Sequence, residues 1–218
     1  MVLRLLKAAW NTAQFYDSRL GPFPKMPKGA TSGGKPKKSR IKNLPQWFAE
    51  LERVQSQQGK DIWLLGIMTG LRRSDLVSVR REHVNGCTLT GPTPKGGKSR
   101  AFELPLSDAA CALVQRVLRS HNSEWLWPSP QSKSGHVENP VPTPEDGFSI
   151  KWSMHDLRRT WASVAAAVGI NRFHQDLLMN HQLEAGDVTT GYIDLGPENL
   201  RPSQQAITDR LRELGLPL

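Results

Sequence analysis

A proline- and glycine-rich basic stretch between residues 18 and 44 divides the chain into two unequal parts. The stretch holds eight prolines and glycines and eight lysines or arginines but no acid, which is typical of an extended linker. Before it, Leu3, Leu6 and Trp10 recur at helical spacing and predict one amphipathic helix over residues 2–14. A lone helix has no packing partner of its own, so the main hydrophobic core must lie in residues 45–218.

The formal net charge of +9 lies entirely in the first 44 residues, which carry ten basic residues and one acid, Asp17. An excess of this size favours a polyanionic partner such as nucleic acid, although a solvated tail would have the same composition. The rest of the chain has 19 residues of each sign. Any anion site in the body must therefore be built locally.

Other features of the composition exclude whole classes of protein. There is no run of about 18 apolar residues and no secretion signal at the N-terminus, so we expect a cytoplasmic protein with no membrane partner. Cys87 and Cys111 lie in different segments, without a CxxC motif or a Cys/His cluster. This pattern argues against a disulfide framework and against a structural zinc.

The hydrophobic pattern of the body predicts an α+β fold that is mainly helical, with one small antiparallel sheet. Two short apolar stretches, 87–89 and 101–104, flank the turn-rich segment 91–97 and predict a β-hairpin. A short strand is expected at 124–127 and a long loop at 128–148. Helices are expected at residues 46–57, 60–70, 74–84, 107–120, 154–168, 172–180, 186–194 and 203–214.

Two helix starts bring cations to positions where an anion could bind. In SMHDLRRTWAS, Ser153 and Asp156 predict a capping box, and His155 and Arg158 share one face of the helix that follows. In TGLRRSDL, Arg72 lies in a tight connection between helices, and Asp75 is close enough in sequence to hold its guanidinium. Each element taken alone also fits an ordinary solvated surface.

Three further elements carry a lysine, a histidine and a tyrosine. KGGKSR places Lys95 at the hairpin tip, where Gly96 and Gly97 allow a tight turn. LLMNH ends a predicted helix at His181, and Tyr192 follows eleven residues later in VTTGYI. A solvated hairpin and a core tyrosine are the alternatives for these elements considered singly.

Read in order, the five elements resemble the catalytic domain of the tyrosine recombinases of the phage-integrase kind, over about residues 45–195. The family's first catalytic Arg falls on Arg72 rather than Arg73, because it directly follows Gly-Leu, and the hairpin Lys falls on Lys95. The family's His-x-x-Arg pair falls on His155 and Arg158. Its next His and its nucleophile fall on His181 and Tyr192.

Three departures from the family pattern accompany this resemblance. Asn180 stands where many members have Gly, Asp75 stands where Glu is commoner, and the spacing from His181 to Tyr192 is slightly long. Residues 1–17 resemble the last helix of a core-binding domain whose remainder is absent. The resemblance thus implies a catalytic domain at 45–218, preceded by an interdomain linker at 18–44.

The resemblance also implies a mechanism that needs no metal and no other cofactor. Tyr192 would attack a DNA phosphate to form a 3′-phosphotyrosyl link, which preserves the bond energy for rejoining. Arg72 and Arg158 would stabilise the transition state, Lys95 would protonate the leaving oxygen, and His155 would accept the tyrosine proton. His181 would donate a hydrogen bond to the phosphate.

The partner implied is double-stranded DNA at att-type sites, bound by a homotetramer, with an accessory DNA-bending protein as a further candidate partner. The isolated chain is expected to be a monomer, encoded by a prophage or genomic island in a bacterial cell. A type IB topoisomerase-like enzyme and a non-catalytic DNA-binding remnant are the alternatives. The further DNA-binding candidates are Lys35, Lys37, Lys38, Arg40, Lys42, Arg73, Lys98, Arg100 and Arg159.

Overall fold

The computed structural model of the protein describes residues 2–24, 40–91, 97, 101–181 and 196–217. The chain divides into two compact units, Met1–Lys38 and Ser39–Leu218. The first contains helix α1 (Val2–Tyr16), two residues longer than predicted. Its Trp10 indole donates a hydrogen bond to the Gly21 carbonyl (3.0 Å) and packs edge-on against the ring of Phe23. The chain after α1 therefore folds back onto that helix.

The second unit is mainly helical, as the sequence predicted. In its described part the helices are α2 (Leu44–Arg53), α3 (Gln57–Thr69), α4 (Arg73–Val77), α5 (Asp108–Ser120), α6 (Met154–Ala167), α7 (Arg172–Leu178) and α8 (Pro197–Glu213). The strands are β1 (Val84–Asn85), β2 (Thr88–Gly91) and β3 (Phe102–Pro105). They form one antiparallel sheet in the order β1-β2-β3. The predicted fold class is thus confirmed.

Helix α3 is the centre of the core. All residues from 61 to 69 are buried, and the helix packs against α5, α6 and α8. Fully buried tryptophans connect this centre to its surroundings: the Trp161 indole donates to the Met68 carbonyl (3.1 Å), and that of Trp127 donates to the Leu76 carbonyl (2.9 Å). Because a buried indole N–H needs an acceptor, these bonds fix α6 and the loop after α5 to the end of α3 and to α4.

The sheet confirms the predicted hairpin at its base. Leu89 of β2 lies opposite Leu104 of β3 and Val84 of β1, and both leucines are buried. The residues between the two hairpin strands lie outside the described part of the chain, apart from Gly97 and Ala101.

Three predicted elements are wrong in extent. The third helix of the body ends at Val77, because the backbone then turns through a 3-10 helix at Arg81–His83 into β1. Residues 124–127 make only a single bridge, between Trp125 and Arg80. Helix α8 begins at Pro197, a residue suited to a helix start, rather than at 203. The helix predicted at 186–194 falls outside the described residues.

The expectation against a disulfide is also wrong. Cys87 and Cys111 are bonded to each other, with their Cα atoms 5.1 Å apart. Cys87 directly precedes β2 and Cys111 lies in the first turns of α5, so the fold brings together two segments that are 24 residues apart in sequence. The bond therefore attaches the base of the hairpin to α5.

The long loop predicted at 128–148 is present and contacts the helices at several points. The Trp63 indole donates to the Pro140 carbonyl (2.8 Å), and the Phe148 ring stacks on Trp47 with ring centres 6.1 Å apart.

Among the described residues, no helix combines the length and the apolar character needed to cross a bilayer.

Candidate active site

The connection between α3 and α4 sets the position of the first arginine. Helix α3 ends at Gly70, which has φ +64°, a left-handed conformation that favours glycine. A Cβ atom at this residue would lie 2.7 Å from the ring of Trp161, so space as well as conformation requires glycine here. Two residues later Arg72 is the N-cap of α4, and its side chain is 23% exposed.

The start of α6 positions the second arginine. The predicted capping box is present: the Ser153 hydroxyl and main-chain N–H both donate to the Asp156 carboxylate, at 2.7 and 3.0 Å. One turn on, Arg158 is only 5% exposed. Its buried position follows from the helix period, since Leu157 and Trp161 on either side of it pack into the core.

The guanidinium of Arg158 joins three parts of the fold. Its Nη1 donates to the Gly70 carbonyl at 2.6 Å, and its Nη2 donates to the Met179 carbonyl at 2.8 Å. The same Nη2 lies 2.9 Å from Nε2 of His181. Burial, together with the positive charge of Arg72 nearby, lowers the pKa of Arg158 to about 10. Two cations thus share this region at an electrostatic cost that a bound anion would offset.

The turn after α7 brings in His181. The N–H of His181 bonds to the Asp176 carbonyl (2.8 Å) and that of Asn180 bonds to the Leu177 carbonyl (2.9 Å), which together make a Schellman motif. Asn180 has φ +46°, and asparagine is among the few side chains that accept this conformation. Asparagine can therefore adopt the left-handed conformation at the position where many family members have glycine.

Arg72 reaches the same turn from the opposite side. Its Nη2 donates to the Asn180 carbonyl at 3.0 Å. Its Nη1 lies 3.7 Å from Oδ2 of Asp75, as the i, i+3 spacing predicted, but neither of these two buried atoms has a hydrogen-bond partner among the described residues. The guanidinium is thus held at one nitrogen and retains donor capacity at the other.

Comparison with known proteins finds similarity in fold but not in sequence. No protein-family model matches the chain, and a search of the curated proteins finds no match to its sequence. Among solved structures, the Tn1549 transposon integrase in complex with a circular intermediate DNA is 17% identical, with a TM-score of 0.64 over 93% of this chain and 76% of that one. The integrase of mycobacterium phage Brujita is 21% identical, with a TM-score of 0.57 over 96% of this chain and 74% of that one.

The lambda integrase, solved as a tetramer bound to a Holliday junction, is 15% identical, with a TM-score of 0.52 over 87% of this chain and 57% of that one. The chain has the fold of the tyrosine recombinases. At these identities the likeness concerns the fold alone.

Within this recombinase fold, three of the six predicted catalytic residues come together: Arg72, Arg158 and His181. His155 lies one turn before Arg158 on α6 and is exposed. Lys95 and Tyr192 lie outside the described residues, and the catalytic roles of all six residues remain predictions.

The predicted DNA-binding residues are only partly described. Arg40 and Lys42 are exposed, and so is Arg73, whose Nη1 donates to the Asn139 side chain of the long loop. Arg159 is half-buried, with its Nη1 3.7 Å from Oδ1 of Asp156. The other candidates, Lys35, Lys37, Lys38, Lys98 and Arg100, lie outside the described residues.

Sequence reasoning missed one side chain that contacts this cluster. Asp176 of α7 accepts from Nδ1 of His181 at 2.9 Å and from Nε of Arg172 at 2.7 Å. The signal available in the sequence was an acid five residues before a histidine that ends a helix. A Schellman turn brings these two positions together, but the turn is visible only once Asn180 is assigned a left-handed conformation.

Proposed function

We propose that this chain is the DNA-cleaving and rejoining domain of a site-specific recombinase. Tyr192 attacks a phosphodiester in line, its oxygen bonds to phosphorus, and the bond to the 5′-oxygen breaks. The product is a 3′-phosphotyrosyl link and a free 5′-hydroxyl, which later attacks the partner strand in the reverse reaction. The proposal is supported most by one observation: two guanidinium groups and an imidazole converge where α3, α6 and α7 end or begin.

The cluster suits the transition state of this reaction. A pentacoordinate phosphorus carries extra negative charge on its non-bridging oxygens, and planar guanidinium groups pair with such oxygens. Arg158 is fixed by the Gly70 and Met179 carbonyls, so its orientation is set before DNA arrives. Because Arg158 Nη2 lies 2.9 Å from His181 Nε2, an oxygen that displaces this contact can accept from both groups.

Proton transfer completes the scheme with residues assigned from the sequence. The leaving 5′-oxygen takes a proton from Lys95, and His155 accepts the proton that Tyr192 loses. Although His155 is exposed overall, partial burial of its imidazole lowers its pKa, and the charge of Arg159 lowers it further. A neutral imidazole at physiological pH is the form that a general base requires.

The shift at His155 predicts a pH dependence. Since only neutral His155 accepts a proton, and its pKa lies below the ordinary value of about 6.5, full activity should persist on acidification until that lowered value is reached. We expect the acidic half-point of the cleavage rate to fall below pH 6.5 and His155→Gln to abolish this acidic limb. A half-point above pH 6.5, with DNA binding constant over the range, would contradict the assignment.

The proposed function is tested by trapping the covalent intermediate. The protein is incubated with a pool of nicked duplexes of randomised sequence, in which a short 5′-hydroxyl fragment diffuses away after cleavage and leaves the protein attached. Adducts are then resolved on a denaturing gel and their DNA is sequenced. We expect an adduct that selects a preferred sequence, which separates a site-specific recombinase from a relaxing enzyme without a specific site.

The chain offers a matched control because it contains only two tyrosines, Tyr16 and Tyr192. Tyr16 is 81% exposed at the end of α1. Tyr192→Phe should form no adduct, and Tyr16→Phe should form it at the wild-type rate. The absence of any wild-type adduct on the pool, with the protein folded and bound to DNA, would count against cleavage by this chain.

A further inference from the structure

Both ring nitrogens of His181 are engaged in the structure. Nδ1 lies 2.9 Å from Oδ1 of Asp176, and Nε2 lies 2.9 Å from Nη2 of Arg158. The other oxygen of Asp176 accepts from Nε of Arg172 at 2.7 Å. A continuous chain of polar contacts therefore runs from Arg172 on α7, through the carboxylate and the imidazole, to Arg158 on α6.

The chemistry of the two partners specifies where the imidazole carries its proton. Burial raises the pKa of Asp176, but hydrogen bonds from Arg172 and His181 lower it by more, so the group is a carboxylate that can only accept. An arginine can only donate. Both contacts are satisfied by a neutral imidazole with its proton on Nδ1 and its lone pair on Nε2.

The backbone supports this arrangement at the same residue. The main-chain N–H of His181 donates to the main-chain carbonyl of Asp176 at 2.8 Å, while the two side chains are hydrogen-bonded to each other. Asp176 also lies on helix α7, which is capped by Asn171. The side-chain oxygen of Asn171 accepts from the His174 N–H. The carboxylate is thus presented from a fixed element, and its side chain is only 18% exposed.

We propose that Asp176 is a positioning residue, which holds the ring of His181 in one orientation and one tautomer so that Nε2 is aimed at the oxygen-binding side of Arg158. The proposal rests on the function proposed above, since it assigns His181 to the phosphate. Asp176 itself contacts neither substrate nor reacting atoms.

The arrangement has a consequence for DNA binding. A phosphate oxygen only accepts, so when it replaces Arg158 as the partner of Nε2, that nitrogen must donate. The contact of Nδ1 with Asp176 is kept in that arrangement, so the ring presents the same edge to the phosphate. The charged groups around the ring are Asp176 and Arg172 from α7, Arg158 from α6 and Arg72 from the α3–α4 connection.

Two substitutions separate positioning from general stability. Asp176→Asn keeps an oxygen that accepts from Nδ1–H, whereas Asp176→Leu has a similar size and no acceptor. Asp209→Leu is the matched control, because Asp209 is an exposed carboxylate on α8 that pairs with Arg212 at 3.0 Å in the same helix. Thermal unfolding of all three variants checks that they are folded.

The first measurement is the tautomer of His181 in the DNA-free protein, read from two-bond nitrogen–proton correlations in the imidazole at alkaline pH and assigned with His181→Gln. We expect the proton on Nδ1 in the wild type, in Asp176→Asn and in Asp209→Leu, and a mixture of tautomers in Asp176→Leu. A wild-type ring protonated on Nε2, or an Asp176→Leu ring that stays on Nδ1, would overturn the proposal.

The second measurement is the rate of covalent adduct formation on the selected nicked duplex. We expect a loss of roughly 10- to 100-fold in Asp176→Leu, as for a misplaced catalytic group, and recovery of most of that loss in Asp176→Asn. Asp209→Leu should match the wild type. A wild-type rate in Asp176→Leu despite a changed tautomer would refute the positioning role.

The two measurements fail in different ways. If the wild type forms no adduct, the proposed function fails, and with it the catalytic meaning of the contact, even when the tautomer is as expected. If the adduct forms and only the tautomer result is wrong, the function stands and the role of Asp176 does not.

Discussion

Replacing Arg158 with lysine should slow covalent adduct formation by about 10² to 10³-fold, equivalent to about 2.7 to 4 kcal/mol of transition-state stabilisation. Lysine keeps the positive charge, but its single ammonium group cannot make all three contacts of the guanidinium, which are with the Gly70 carbonyl, the Met179 carbonyl and His181. The effect should therefore be one of geometry and donor number rather than net charge. The measurement is the single-turnover rate with saturating nicked DNA.

Arg212→Lys is the control for this substitution. Arg212 is exposed on α8 and pairs with Asp209 in the same helix, so its replacement should leave the rate unchanged. Circular dichroism and thermal unfolding show whether Arg158→Lys is folded, since the residue is only 5% exposed. A folded Arg158→Lys protein that cleaves within threefold of the wild type would show that a precise guanidinium is not required.

Reduction of the Cys87–Cys111 disulfide should lower the free energy of unfolding by about 3 kcal/mol. The bond closes a loop with a sequence separation of 24, and the loss follows from the conformational entropy that this closure removes from the unfolded chain. For a unit of this size the change corresponds to a fall in Tm of roughly 10 °C. A dithiol reductant reduces the bond to two protein thiols and is itself oxidised to a disulfide.

The control is a protein with both cysteines replaced by serine, whose Tm should be low and unaffected by the reductant. Mass measurement after alkylation of free thiols reports the oxidation state directly. An untreated, natively folded protein that takes up two alkyl groups, or a Tm insensitive to reduction of a verified disulfide, would contradict the expectation.

The parts of the fold that the sequence predicted well are those specified by neighbouring residues. Helix α5 begins at Asp108, one residue from the predicted start, and Ser107 caps it because its hydroxyl accepts from the Ala110 N–H. Helix α6 begins at the predicted capping box of Ser153 and Asp156. Helix caps and apolar periodicity involve residues within one or two helical turns, so they can be recognised from the local sequence.

The errors involve contacts between distant parts of the chain. The pairing of Cys87 with Cys111 depends on how β2 lies against α5, which no spacing rule gives. Helix α4 ends early because the chain after it bonds to a distant segment: the Arg81 N–H donates to the Glu124 carbonyl (2.7 Å) and the Leu126 N–H donates to the Val79 carbonyl (2.9 Å). Tertiary contacts decided each of these outcomes.

In the candidate site, too, the local elements were predicted from the sequence and the contacts between them were not. Arg72, Arg158 and His181 were predicted from three separate short elements, and their convergence followed only from the family resemblance. The acceptors that fix Arg158 are main-chain carbonyls of Gly70 and Met179, which have no side-chain signature in the sequence. Asp176 has such a signature, but its meaning depends on the left-handed conformation of Asn180.

In the proposed reaction Tyr192 becomes covalently linked to DNA. The most direct test is to digest the purified adduct with trypsin and nuclease and to locate the remaining nucleotide by mass spectrometry. Residues 173–200 contain no lysine or arginine, and Arg201 precedes proline, so Tyr192 is expected in a peptide that contains it as the sole tyrosine. We expect the nucleotide on Tyr192, linked through a 3′-phosphate. A nucleotide on Tyr16 or on any other residue, or linkage through a 5′-phosphate, would contradict it.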